Sequence, residues 1–166
     1  MIRVSLFSLL LFSTFVLSAQ TKIDAGLAFG FQPYENPGES PRGLPSADLL
    51  VRGDALGTHL AVEYTDLPQI GAMVAVHLDA VYRRGDQYFF LAGAGPTLIN
   101  TGSADSNGSN AMTWNAELEA GRAFRRAEVF LRLRYYDYDG IERFRDQPAS
   151  PDGPAIYIGA RFALRR

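Results

Sequence analysis

The sequence predicts an all-β protein, an eight-stranded antiparallel up-and-down barrel that crosses a membrane. Three observations lead there. Apolar and polar residues alternate with period two in eight runs, and no run has the period of a helix. The connections after the first, third, fifth and seventh runs are long or proline-bearing, whereas those after the second, fourth and sixth are short. The polar parity mixes small residues with opposite charges, while the apolar parity carries aromatics toward its ends.

The first residues stand outside this pattern. Met1-Ile2-Arg3 carries one positive charge, residues 4–17 are almost wholly apolar, and Leu17-Ser18-Ala19 places small residues before Gln20. This reads as a cleaved signal peptide over 1–19, leaving a barrel domain over 20–166. A membrane anchor is the competing reading, but the apolar run falls short of the ~20 residues a spanning helix needs. The remaining chain is long enough for one domain and has no cysteine to staple it. Its formal charge of −2 becomes about −3 without Arg3, which argues against nucleic acid as a partner. Lys22 is the only lysine, so arginine supplies the other positive charges.

The elements follow in order. Residues 22–31 set Ile23, Ala25, Leu27, Phe29 and Phe31 against Asp24, Gly26, Ala28 and Gly30. Residues 32–46 hold Pro33, Pro37, Pro41 and Pro45 and are expected to be a long loop, since proline removes a ladder donor. A short strand at 47–53 has Leu49 and Val51 against Asp48 and Arg52, with Leu50 breaking the polar parity. After a turn at 54–57, residues 58–65 set Leu60, Val62 and Tyr64 against His59, Ala61 and Glu63. A loop with Pro68 leads to 72–83, where Val74, Val76, Leu78, Ala80 and Tyr82 oppose Met73, Ala75, His77, Asp79 and Arg83. Arg84-Gly85-Asp86 turns the chain. Residues 87–99 are apolar on both parities, so their faces stay unassigned, and Gly93 and Gly95 suggest a close approach or a kink. Residues 101–110 are rich in Ser, Gly and Asn and read as a loop.

The most regular stretch is a hairpin over 111–138. Met112, Trp114, Ala116, Leu118 and Ala120 alternate with Thr113, Asn115, Glu117 and Glu119. Past an arginine-rich break, Val129, Leu131, Leu133 and Tyr135 alternate with Glu128, Phe130, Arg132, Arg134 and Tyr136. The polar positions are odd-numbered on the first strand and even-numbered on the second. A two-residue turn at Arg125–Arg126 puts Glu117 opposite Arg134 and Glu119 opposite Arg132. Such opposed charges contribute about 0.2–1 kcal/mol each in water. A charged loop over 139–153 precedes the last strand, 155–164, where Ile156, Ile158, Ala160, Phe162 and Leu164 oppose Tyr157, Gly159, Arg161 and Ala163.

A soluble barrel has the same alternation with its apolar face inward. The inverted arrangement is favoured here. Runs of about nine to eleven residues suit tilted membrane strands. The polar parity has Gly26, Ala28, Gly30, Ala61, Ala75 and Gly159 beside its charges, as a narrow packed interior requires. The aromatics Phe31, Tyr64, Tyr82, Trp114, Phe124, Tyr135 and Phe162 sit where two interfacial girdles belong.

On these residues the whole mature chain resembles the small outer-membrane β-barrel family of Gram-negative bacteria, OmpA- or OmpX-like. The resemblance implies an outer-membrane location, lipid contact, and recognition of the last strand by the insertion machinery. Ile156, Ile158, Ala160 and Phe162 are similar to that terminal signal, and the tail 163–166 after the aromatic departs from it. The family also implies an acyl-hydrolase or acyltransferase branch using serine and histidine. Here the serines fall in or beside loops, while His59 and His77 lie on the interior parity toward the turn side of their strands, so no enzyme is expected. His59 and His77 with Glu63 and Asp79 have metal-ligating chemistry, but polar packing of the lumen is the preferred reading, and no metal or cofactor is expected. The candidate site is an interior charge network of Glu63, Asp79, Glu117, Glu119, Arg132, Arg134 and Arg161 filling the bore. The expected role is structural or interactional, through the long loops, whose partner the sequence does not name. A narrow channel and a soluble exported barrel binding an apolar ligand are the alternatives.

Overall fold

In the computed structural model the described residues are 21–32, 42–67, 71–101, 109–137 and 153–165. The expected signal peptide over 1–19 and much of the expected long-loop sequence lie outside them. Eight strands run β1 (Lys22–Gln32), β2 (Arg42–Arg52), β3 (Leu56–Leu67), β4 (Gly71–Arg84), β5 (Tyr88–Thr101), β6 (Ser109–Ala123), β7 (Ala127–Asp137) and β8 (Gly153–Arg165). Each pairs antiparallel with its neighbours in sequence, and β1 pairs with β8, so the sheet closes. Closure satisfies the backbone without an exposed edge, which a strand protein in lipid requires.

The alternating parity sorts the side chains into two faces. Leu27, Trp114, Leu131, Ile158 and Phe162 are exposed on the outside, and so are all seven aromatics of the two girdles. Arg132, Arg134, Arg161, His59, His77 and Asp79 are wholly buried on the inside. A soluble barrel around an apolar ligand needs the reverse, so that alternative is excluded by the orientation of the faces.

The β6–β7 register is Glu117↔Arg134 and Glu119↔Arg132, closed by a two-residue turn in which the Phe124 N–H donates to the Ala127 carbonyl at 2.7 Å. Interior glycines make room for large interior side chains. A Cβ on Gly30 would overlap the Tyr157 ring, one on Gly159 the Phe130 ring, and one on Gly26 the Arg161 stem.

Several boundaries differ from the sequence expectation. The proposed loop 32–46 is shorter, because Gln32 belongs to β1 and β2 starts at Arg42. Pro45 pairs with Phe29, while the β3 partners of β2 stop at Ser46↔Glu63. Over residues 42–45 β2 is therefore unpaired on that flank, the setting in which a strand accommodates proline. The strands overrun their expected ends elsewhere too, taking in Thr101, Ser109 and Gly153. In β5 the odd residues point inward: Phe89, Leu91, Thr97 and Ile99 are buried, and Tyr88, Phe90 and Leu98 are exposed. The apolar double parity has a cause. Leu91 joins Leu50 and Val81 in an apolar cluster within the lumen, which also explains why Leu50 breaks the polar parity of β2. The β4–β5 ladder lapses between His77↔Thr97 and Ala80↔Ala94. Gly95 and Pro96 stand in that gap, where a Cβ on Gly95 would overlap the Leu78 carbonyl oxygen.

Candidate functional site: the charged lumen

The interior charges form tiers along the bore. At the middle, Arg161 grips Glu119 with both terminal nitrogens, at 2.5 and 2.7 Å, and its Nε donates to Asp48 Oδ1 at 3.0 Å. Arg132 spans the same two carboxylates, donating to Asp48 Oδ2 at 2.5 Å and Glu119 Oε2 at 3.1 Å. The Phe130 ring lies beneath both guanidiniums, 4.2 and 4.8 Å from their central carbons. Next along the axis, Arg134 donates to Glu117 Oε2 at 2.6 Å and to Asp79 Oδ2 at 3.3 Å. His59 Nδ1 stands 2.7 Å from the other Glu117 oxygen.

Neutral polar groups carry the network onward. Asn115 donates to Asp79 Oδ1 at 2.8 Å and to Thr97 Oγ1 at 3.0 Å. Thr97 meets His77 Nδ1 at 2.8 Å, and His77 Nε2 meets Glu63 at 3.1 Å. The hydroxyls of Tyr136 and Tyr157 donate to Glu63. Toward the short-turn end a separate fork joins Arg83 to Glu128, two bonds of 2.8 Å, with Arg52 3.4 Å away from Glu128 and 3.6 Å from Asp24. A cavity of about 270 Å³ opens there, lined partly by Asp24, Arg52, Arg83 and Glu128.

All seven residues of the candidate network point into the bore. The structure brings Glu117, Arg134, Asp79 and Glu63 together and, one tier away, Glu119, Arg132 and Arg161. Asp48, His59, Tyr136 and Tyr157 complete those tiers; of these the sequence assigns only His59 to the packed lumen, and none to the charge network. Asp48 shares its strand's inward parity with Arg52, so the signal for it was present. The tyrosines read as aromatics, and their hydroxyls gave no signal of a carboxylate partner.

Two placements are corrected. His77 lies in the middle of β4, away from the turn. Ser46 is buried inside β2, whereas the serines were expected in or beside loops. Among the described residues no hydrogen bond joins a serine to a histidine. His59, Asp79 and Glu117 have ligand atoms within 4.8 Å of one another, a spacing open to a metal ion. Arg134 already bridges both of those carboxylates with one guanidinium, so the cationic place is filled by protein.

No protein-family model matches the sequence, and no curated protein matches it. Solved structures do match in fold. The chain is similar to neisserial surface protein A (NspA), 12% identical with a TM-score of 0.55, covering 87% of this chain and 97% of that one. It is similar to the N-terminal β-barrel domain of Pseudomonas aeruginosa OprF, 15% identical with a TM-score of 0.51, covering 87% and 98%. The outer membrane enzyme PagL aligns at 14% identity and a TM-score of 0.49, covering 86% and 99%. The chain has the fold of the small eight-stranded outer-membrane β-barrels.

Proposed function

We propose that the protein is an outer-membrane barrel of structural or surface-interaction role, delivered by a cleaved leader over 1–19 and inserted through its last strand. The lumen is a plug of side chains with no wide pore and no catalytic role. One observation carries this reading: Arg132, Arg134 and Arg161 reach from β7 and β8 to carboxylates on β2, β4 and β6, across the bore, with no exposed surface. Charges removed from water in this way hold their geometry, because separating either partner leaves an uncompensated ion.

A narrow channel is the second reading. On its side stand buried polar atoms without a hydrogen-bond partner, among them Arg132 Nη1, Arg134 Nε, Asn115 Oδ1 and Ser46 Oγ. Such groups are places for ordered water. Single-channel recording in planar bilayers separates the two. The plug reading expects low conductance that rises in Arg161→Ala. A large, steady wild-type conductance overturns it. Migration of unheated against boiled protein, taken from membranes, reports insertion independently.

A further inference from the structure

Leaving aside Arg42 at the start of β2, the described arginines fall into two sets. Arg52, Arg83, Arg132, Arg134 and Arg161 point inward, and each has a carboxylate within ion-pair distance. Arg84, Arg122, Arg125, Arg126 and Arg165 are exposed. Among the described residues none of these five has an acidic partner. All five lie at one end of the barrel: the last residue of β4, the penultimate residue of β6, the β6–β7 turn and the last residue of β8. Exposed acids at that end are Asp54, which faces Lys22 at 3.9 Å, and Asp86.

The patch is amphiphilic. Arg84 and Arg122 belong to the outward, lipid-facing parity. Arg122 lies over the exposed rings of Tyr88 and Phe124, at 5.4 and 5.3 Å. Arg125, Arg126 and Arg165 rim an external groove of about 520 Å³ with Ala163 and Leu164 between them. The groove is held by the backbone, since the Ala163 N–H donates to the Arg126 carbonyl at 3.0 Å. Unpaired guanidiniums above an apolar floor, beside a ring of aromatics, meet the chemistry of a phosphate attached to an acyl chain.

We propose that this turn-end arginine patch binds the phosphate headgroup of an anionic glycerophospholipid in the leaflet that the short turns contact. The inference rests on reading the chain as a membrane barrel with its short turns on the periplasmic side. Phosphates of lipid A share the chemistry but belong to the other leaflet in that reading.

The test is native mass spectrometry of the full mature barrel in detergent. Phosphatidylglycerol, phosphatidylcholine of the same acyl chains, or lipid A is added separately. The wild type should retain phosphatidylglycerol over phosphatidylcholine. The R125Q/R126Q/R165Q variant should lose that preference by about fivefold or more. These side chains lie outside the lumen, so unheated migration on a gel should stay that of a folded barrel. Should the variant not fold, the wild type decides alone: its preference must be present and must weaken as salt is raised before transfer to the spray buffer. Equal retention of the two phospholipids, or a preference that survives the triple substitution, overturns the proposal. Stronger retention of lipid A, lost in the same variant, overturns the commitment to the phospholipid leaflet. A wild-type protein that fails to enter lipid vesicles refutes the membrane reading itself, a different outcome.

Discussion

Arg134 donates to Glu117 at 2.6 Å across directly opposed positions of β6 and β7, and both side chains are sealed from solvent. Arg134 also reaches Asp79, and Glu117 also meets His59, so the pair ties its own tier of the plug together, while Arg132 Nε of the next tier lies 3.4 Å from Glu117.

Removing one member strands the other. Glu117→Ala or Arg134→Ala should each destabilise the barrel by about 3–5 kcal/mol, and the double change should cost less than the sum. A double-mutant cycle from urea titrations in lipid vesicles measures this. Additive costs would mean the two groups are solvated independently.

The outer face makes the opposite demand. Leu131 is exposed at mid-strand of β7 on the apolar parity. Leu131→Arg should destabilise by about 2–4 kcal/mol near the bilayer midplane, and Leu131→Ala by clearly less. Equal small effects in the same titration would show that this face does not meet lipid.

Packing inside is tested at Gly30, whose missing side chain leaves space for the Tyr157 ring. Gly30→Val should cost about 1–3 kcal/mol by overpacking. Adding Tyr157→Leu should recover part of that loss, less the hydroxyl bond to Glu63. A Gly30→Val barrel as stable as wild type refutes the contact.

Orientation is accessible because the chain has no cysteine. Asp86 is exposed in the β4–β5 turn beside Gly85, whose φ of 96° suits glycine. Asp86→Cys should react with a membrane-impermeant maleimide only after the outer membrane is permeabilised. Labelling on intact cells would place the short turns outside.

Much of this architecture was legible in one dimension, and the reason is local. A strand has two faces, so parity alone assigns Leu131 outward and Arg132 inward. A hairpin ties two such strands through a short turn, so arithmetic on residue numbers pairs Glu117 with Arg134. The limits were equally physical. In β5 both parities are apolar, because Leu91 packs on Leu50 and Val81 within the lumen, so no alternation survives to be read. Pro45 counts against a strand until it is known that the β2–β3 ladder stops at Ser46↔Glu63 and leaves its flank unpaired. The bonds from Asp48 to Arg132 and Arg161 join residues 84 and 113 positions apart. Period and turn length contain no information about such a meeting. It depends on β1 closing onto β8 and on the stagger of that closure, which sets the side chains at each level of the bore. The sequence determined the strands, their faces outside β5 and the nearest charge pairs, while the closed barrel alone decided which charges meet across its centre.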